Sequence, residues 1–397
     1  MVAKREICIT KDPYAYDEVL MDTYGITPGY RAGVLEATES QTATLDFIRY
    51  PNYPTYPDTP KFTTLRVQAH TDTANRETIR EEATDSVAAA SLFGGVYNAS
   101  GSINGVWRGW DFHLSGFLEG ILGYQGETIP DAPSLPNQAA TGKRYELSMI
   151  PSVLALKIVD EQAKTPSGTR GTTTIYRGVG ISSFEISLAT KKYAEFSAEW
   201  IARRSEVYDL PHNSNSTING DPAIFYNAVL TWQPENGSPT AFKCAEFKMN
   251  IGRQIDRDAY MIGSQFLYDL LYNGMTELGG SISLAPSDWD KIRAMIAGTN
   301  DDSVNTLDQD KHEYFGQVDS NPTQSTVLAN AIPSGKFVVT LHTPDGTRVV
   351  TRITADEAKL TEASREARGQ DRFNKTINWV GIINNDKHFY VDVYPPA

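Results

Sequence analysis

The chain has 397 residues, a formal net charge of −13 and a pI near 5.0. This length is sufficient for two hydrophobic cores of ordinary size, and a charged fraction of 21% is typical of a folded protein rather than a disordered one. Because no run of Lys and Arg concentrates positive charge, a surface that grips nucleic acid is disfavoured.

Alternating apolar and polar residues predict antiparallel β-structure along most of the chain. One hairpin is predicted from residues 154–159 and 172–176, and a second from residues 338–342 and 348–353. Further strands are expected at residues 184–188, 194–201, 228–232 and 389–394.

Three short helices are predicted among the strands. The first covers residues 113–122, and the second covers residues 286–298, with Pro at its start and Gly at its end. The third is expected at residues 355–368, which are rich in Ala, Glu and Arg. Thr354 and Glu357 would form its capping box. Since its apolar stripe is weak, we expect this third helix to be exposed.

One short motif occurs twice with the same internal spacing. Its two copies are Gly101-Ser102-Ile103 with Trp110-Asp111 and Gly280-Ser281-Ile282 with Trp289-Asp290. Other segments match in the same order at similar offsets, for example residues 150–152 with 332–334. A weaker match pairs residues 174–181 with 376–382, at a larger offset that an insertion would explain.

These matches predict an internal duplication. The expected fold is mainly β, with two similar antiparallel domains of β-sandwich or barrel-like form, each containing a short helix. The first domain would cover residues 1–180 and include an N-terminal arm. The second would cover residues 181–397 and carry a helical insertion near 355–369.

No catalytic, cofactor or metal site is expected. His70 and Asp72 have ligand-like spacing on one strand, but the chain has only six scattered histidines. Asp256 and Asp258 are interpreted as surface charges, and the acidic segment 301–310 lacks the Gly and Glu of a calcium loop. The expected site residues are therefore those of the repeated motif, and no cofactor is predicted.

Hydropathy and cysteine usage indicate a protein made in the cytosol. The chain has no stretch of about 18 apolar residues, and no apolar segment follows its first six residues. Cys8 and Cys244 both lie in strand-like runs, where buried thiols are common, so a disulfide or metal role is not expected.

Two segments carry a family resemblance. Residues 175–188 and 196–202, with the pattern Tyr176-x-Gly178 followed by Ser183-Phe184, resemble the tail tube proteins of long-tailed phages. Residues 242–298 resemble a second block of that family, a Gly-rich strand before a short helix. The resemblance covers about a third of the chain, and residues 188–193 depart from the small Gly-containing turn that the family usually has there.

The resemblance implies a non-enzymatic virion protein that assembles into stacked rings around a hollow tube for the viral DNA. A chain with two such domains would form a homotrimeric ring with pseudo-sixfold symmetry. Its partners would be other copies of itself, a tape-measure protein and other tail proteins, with no membrane and no specific DNA binding.

Two alternatives remain open at this point. Another ring-forming tail or head protein, such as a terminator, baseplate hub or decoration protein, would have a similar β-rich composition. A carbohydrate-binding β protein would explain the abundant Tyr and Trp residues, provided that they converge with carboxylates in one cleft.

Overall fold

The structure is a computed structural model. It describes residues 5–11, 63–81, 91–129, 141–148, 151–164, 170–208, 216–217, 220–234, 238–242, 244–256, 267, 275–284, 313–314, 317–318, 334–366, 374–384 and 386–396.

The described residues are mainly β-strands, as predicted. The helical elements are α1 (Gly109–Leu114), α2 (Phe117–Leu122) and the 3₁₀ turn η1 (Phe225–Asn227). The strands are β1 (Arg5–Lys11), β2 (Thr63–Leu65), β3 (Ala69–Glu81), β4 (Ser91–Val106), β5 (Gly123–Ile129), β6 (Gly142–Leu147), β7 (Leu154–Lys164), β8 (Arg170–Ala189), β9 (Glu195–Tyr208), β10 (Ser216–Thr217), β11 (Val229–Pro234), β12 (Thr240–Phe242), β13 (Cys244–Gly252), β14 (Glu277–Leu284), β15 (Glu313–Tyr314), β16 (Gln317–Val318), β17 (Ser334–His342), β18 (Val349–Glu366), β19 (Asn374–Gly381) and β20 (Phe389–Val393).

Eighteen of these strands form one hydrogen-bonded sheet system, and β15 pairs with β16 alone. Nearly all pairings are antiparallel, the exception being β10 beside β2. Both predicted hairpins are confirmed as β7–β8 and β17–β18. The predicted helix at residues 113–122 corresponds to α1 and α2, where Gly116 adopts a φ of 73° and turns the chain between the two helices. The helix predicted at 286–298 lies outside the described residues.

β9 shows why these segments are strands. Phe196, Ala198 and Trp200 are buried, whereas Ser197 and Glu199 are exposed. Because successive side chains of a strand point to opposite faces, this alternation places one face against the core and the other in solvent. The buried residues form one continuous cluster that includes side chains from both ends of the sequence.

The prediction of a helix at residues 355–368 is wrong. Residues 355–366 belong to β18, which bonds to β17 through residue 359, to β20 at residues 351–355 and to β19 from Ala358 onward. Ala355, Ala358 and Leu360 are buried in the core. Helix propensity is a weak preference, and neighbouring strands that require hydrogen bonds on both edges override it here.

The predicted domain boundary at residue 180 falls within β8, which continues from Arg170 to Ala189. The division into residues 1–180 and 181–397 stays a prediction.

A candidate assembly surface

Gly101 is the first residue of the first repeated motif and lies on β4, between β3 and β9. It faces Trp200 of β9 on one side and Asp72 of β3 on the other. A Cβ atom at residue 101 would lie 2.1 Å from the Thr71 carbonyl oxygen and 2.5 Å from Cζ2 of Trp200. Glycine is therefore required because the neighbouring backbone and indole ring occupy the space of a side chain.

Gly280 has the same surroundings in the second copy, on β14 between β13 and β19. It faces Trp379 of β19 and Met249 of β13. A Cβ atom at residue 280 would lie 2.0 Å from the Lys248 carbonyl oxygen and 3.0 Å from Nε1 of Trp379. The sequence offset between Trp200 and Trp379 is identical to the offset between the two glycines.

Both tryptophans share a further feature. Each is almost fully buried, and its indole Nε1 has no hydrogen-bond partner among the described residues. The glycine opposite each ring lets the two strands approach closely, so the pair of Gly and Trp works as a packing unit.

The strands beside these units also carry irregularities at matching places. β8 has a register shift between Ile181 and Ser183 where it passes the tryptophan of β9. β18 has one between Leu360 and Glu362 where it passes the tryptophan of β19. The sequence offset between these two places again equals the offset between the glycines. Since β-bulges re-aim a strand locally, the two strands bend at equivalent points.

A second pair of register shifts lies in the hairpins. It occurs between Leu154 and Leu156 in β7, and between Gly335 and Phe337 in β17. In both hairpins the shift lies before a run of regular antiparallel pairs. The sequence offset between these two shifts is close to the offset between the glycines.

Seven strands of the N-terminal part are thus paired with one another in the same order as seven strands of the C-terminal part. We call β1–β4 with β7–β9 the first strand set, and β11–β14 with β17–β19 the second strand set. The registers assign β18 as the counterpart of β8 and β19 as that of β9. The weaker sequence match of residues 174–181 with 376–382 therefore joined strands that are not counterparts.

The two strand sets meet edge to edge inside the chain. Residues 183–189 of β8 pair antiparallel with residues 246–252 of β13. β13 is thereby bonded on both edges, to β14 and to β8. We call this contact the internal joint.

β3 is the counterpart of β13 in the first strand set, and only one of its edges is bonded within the described part of the chain. Among the described residues, β3 pairs with β4 alone, and residues 71–76 are exposed. In the second strand set, residues 362–366 of β18 pair with β19 alone among the described residues. Unpaired strand edges carry free N–H and C=O groups and are ready to accept another strand.

Polar contacts outside the internal joint link the second strand set to β6, β20 and the segment after β4. The fully buried Asp392 of β20 accepts hydrogen bonds from Arg144 at 2.8 and 3.1 Å and from Arg352 at 2.9 and 3.0 Å. Nε1 of Trp107 donates to Oγ1 of Thr351 at 2.9 Å. Arg253 donates to the Ser148 carbonyl at 3.0 Å. The Trp107–Thr351 contact thus joins the segment after β4 to β18, and the other contacts join β6 to β18, β20 and the end of β13.

Asp111 of the repeated motif holds the chain where it enters the second strand set. Its Oδ1 accepts a hydrogen bond from the Gly220 N–H at 2.6 Å, and Arg108 donates to the Gly220 carbonyl. Oδ2 of Asp111 has no hydrogen-bond partner among the described residues. Burial raises the pKa of this carboxyl. Trp110 packs against His113. The counterparts of Trp110 and Asp111 in the second motif, Trp289 and Asp290, lie outside the described residues.

A comparison with protein-family models shows the family of this chain. The family model described as phage tail tube protein matches residues 20–346, which is more than half of the chain. The chain belongs to the phage tail tube protein family. It is therefore a structural component of a virion tail. No curated protein matches the chain significantly.

The sequence analysis considered several residues of this tail tube protein as possible metal or catalytic groups, and their contacts are as follows. Nε2 of His70 lies 3.7 Å from Asp72, whose Oδ2 accepts a hydrogen bond from the Tyr176 hydroxyl at 2.6 Å. Within the described ranges, no group of three His, Cys, Asp or Glu residues could hold a metal ion. Burial raises the pKa of the Cys244 thiol to about 11, so this thiol is protonated at neutral pH. Asp258 and residues 301–310 lie outside the described residues.

The tryptophans that motivated a carbohydrate-binding alternative are mostly core residues. Trp107, Trp200, Trp232 and Trp379 are each at most 2% exposed. Buried rings cannot stack on a sugar. No described helix is long and apolar enough to cross a membrane.

Sequence reasoning missed the two tryptophans of the packing units. Trp200 and Trp379 follow the glycines of their motifs at the same sequence spacing, so the repeat extends further than the Gly-Ser-Ile segment. Aligning Trp200-Ile201 with Trp379-Val380 would have found the correct counterpart of β9. The open edges could not be found in this way, because they depend on which strands pair across long sequence separations.

Proposed function

We propose that this protein is the repeating subunit of a hollow tail tube, with three chains in each ring and six similar lobes around the ring. The observation that carries the proposal is the matched register of the two strand sets, each with a Gly–Trp packing unit and bulges at equivalent places. Two such lobes per chain and three chains per ring give pseudo-sixfold symmetry.

The matched strand sets are best explained by an internal duplication of one tube domain. In this proposal the first domain includes β9 and ends after Tyr208, and the second begins before β11. The helix-containing segment after β4 belongs to the first domain.

The acidic character of the chain fits passage of DNA without binding. Duplex DNA carries one negative charge per roughly 1.7 Å of its axis, so a basic channel would hold it through many phosphate contacts. A formal charge of −13 gives the subunit no such affinity. The DNA therefore slides during ejection, and the function of the protein is geometric rather than enzymatic.

Membership of the tail tube family supports further partners. Rings would stack on one another, and the tube would form around a tape-measure protein with other tail proteins at its ends. Assembly would take place in the host cytoplasm before the tail joins the head.

Electron microscopy of the concentrated, purified protein tests the proposal. Negatively stained hollow tubes whose end-on views show threefold symmetry and six similar lobes would support both the tube and the duplication. Single closed rings of fixed length would instead favour a terminator or hub protein. A monomer at all concentrations, in the presence of a tape-measure segment as well, would contradict the proposal.

A further inference from the structure

The internal joint supplies a pattern for the contact between chains. It consists of a strand from the first set, β8, laid antiparallel along the outer edge of a strand from the second set, β13. The counterparts of these two segments are the C-terminal end of β18 and the outer edge of β3. Both counterparts have an unpaired edge among the described residues.

We propose that residues 362–366 of β18 in one chain pair antiparallel with residues 71–75 of β3 in a second copy of the chain. This inference rests on the proposed function, because it names the surfaces through which the subunits of one ring meet. The occupant of both open edges is a second copy.

The register of this contact follows from two alignments of equivalent strands. β13 is aligned with β3 by matching Met249 with Asp72, since these two residues face the equivalent glycines. β18 is aligned with β8 by matching Leu360 with Ile181, since these two residues face the equivalent tryptophans.

The pairs of the internal joint can then be transferred to the contact between chains. In the internal joint Asn250 faces Glu185, and by the two alignments their counterparts are Thr73 and Ser364. The full set of predicted pairs between chains is Thr71 with Glu366, Asp72 with Arg365, Thr73 with Ser364, Ala74 with Ala363 and Asn75 with Glu362.

Two observations favour this contact over an accidental similarity. The register sets an acidic residue, Asp72, at the position opposite a basic residue, Arg365, and opposite charges at facing positions favour strand pairing. In addition, all side chains of residues 71–76 are exposed, whereas alternate residues of β13 are buried. β3 therefore has an unpaired backbone edge and exposed side chains, and a strand from a second copy of the chain would cover that edge.

The proposed contact between chains is also of a kind that can close a ring. The same edge-to-edge step occurs first within a chain, at the internal joint, and then between chains. A heterologous contact of this kind forms a ring when the rotation per step closes, and each chain uses one β3 edge and one β18 edge.

Cysteine cross-linking of the full-length protein tests the register. We would compare Thr73→Cys/Ser364→Cys and Ala74→Cys/Ala363→Cys, because neighbouring antiparallel pairs alternate between the wide and the close spacing. Glu185→Cys/Asn250→Cys is the matched control, since it places the same pair in the internal joint. Thr73→Cys/Glu362→Cys tests a register that is slipped by two positions.

Oxidation of assembled protein should link most chains of at least one in-register variant into covalent dimers and trimers, with the expected peptide pair identified by mass spectrometry. The control variant should form its disulfide within one chain. The slipped variant should yield roughly tenfold less product, since its Cβ atoms are about 7 Å apart.

The outcomes separate the two proposals. Rings or tubes in the microscope without an in-register cross-link, or with the slipped product dominant, would overturn this contact and leave the tube function intact. A protein that stays monomeric and forms no cross-link between chains would overturn both.

Discussion

β13 and β3 occupy equivalent places in the two strand sets, yet only one of them is complete. β13 is bonded to β14 and β8, whereas β3 is bonded only to β4 among the described residues. The same neighbours and registers surround both strands on their inner side. The internal joint supplies the second neighbour of β13, and in our proposal a second copy of the chain supplies that of β3.

The largest expected effect is the loss of the charged cluster that joins β6, β18 and β20. Asp392→Ala leaves the partly exposed Arg144 and Arg352 without their buried carboxylate, and losing such charge-assisted hydrogen bonds costs about 2–3 kcal/mol. Denaturant unfolding followed by circular dichroism measures this loss. The control is Lys336→Gln, which breaks the more exposed Lys336–Asp356 ion pair and should cost less than about 1 kcal/mol. Equal effects of the two changes would contradict the role of Asp392.

The glycines of the packing units should show how freely each strand set can adjust. Gly280→Ala and Gly101→Ala both drive a Cβ into a backbone carbonyl, and overpacking of this kind costs about 1–3 kcal/mol. Gly280→Ala should lower the unfolding free energy more, because β13 is held on both edges and β3 can shift.

Thermal and denaturant unfolding of both glycine variants checks this order. Gly252→Ala on β13 is the matched control, since its Cβ would meet nothing closer than 3.7 Å. If Gly101→Ala were the more destabilising change, the result would contradict the prediction that β3 shifts more readily than β13 to accommodate the added methyl group.

A smaller effect concerns Asp111 and pH. Because burial raises the pKa of this carboxyl in the folded state, the fold favours the protonated form. Its contribution to stability is therefore present at low pH and is lost as the pH rises from the ordinary value of 3.8 through the raised pKa. Relative to the native protein, Asp111→Asn should gain stability over this pH range.

The unfolding free energy of the native protein and the variant, measured from pH 2 to pH 7, tests this sign. Asp345→Asn supplies a control of opposite sign, because hydrogen bonds from Thr343 and Thr347 lower the pKa of Asp345 to about 2. Its carboxylate stabilises the fold above the ordinary value and loses this effect as the pH falls through about 2. A pH-independent difference for Asp111→Asn would show that its carboxyl is not perturbed.

The strands with clear alternation were predictable from the sequence, and the segment at 355–368 was not. In β9 the buried and exposed residues alternate in the sequence itself, so local pattern and tertiary structure agree. In β18 a run of Ala and Glu residues with high helix propensity is bonded on both edges at residues 358–359 and to β19 through residue 366. Hydrogen bonds to strands that are distant in sequence determine the structure of this segment, and a short sequence window does not contain that information.

The candidate assembly surface was predictable only in part. The Gly-Ser-Ile repeat gave the correct offset for β4 and β14, because close strand approach requires glycine at both places. The Asp392 cluster joins residues that are far apart in the chain, and neither its charges nor their spacing mark them as partners. The open edges follow from the pairing of whole strands, which a single sequence does not determine.

Amide hydrogen exchange of β3 and β13, before and after assembly, tests the central claim most directly. In the unassembled protein, we expect backbone amides of residues 71–75 to exchange faster than those of residues 246–252, since only the latter strand is bonded on both edges. After assembly into tubes, exchange at residues 71–75 should slow to the level of β13. Fast exchange at residues 71–75 in fully assembled tubes would show that no strand covers this edge, and would contradict the account.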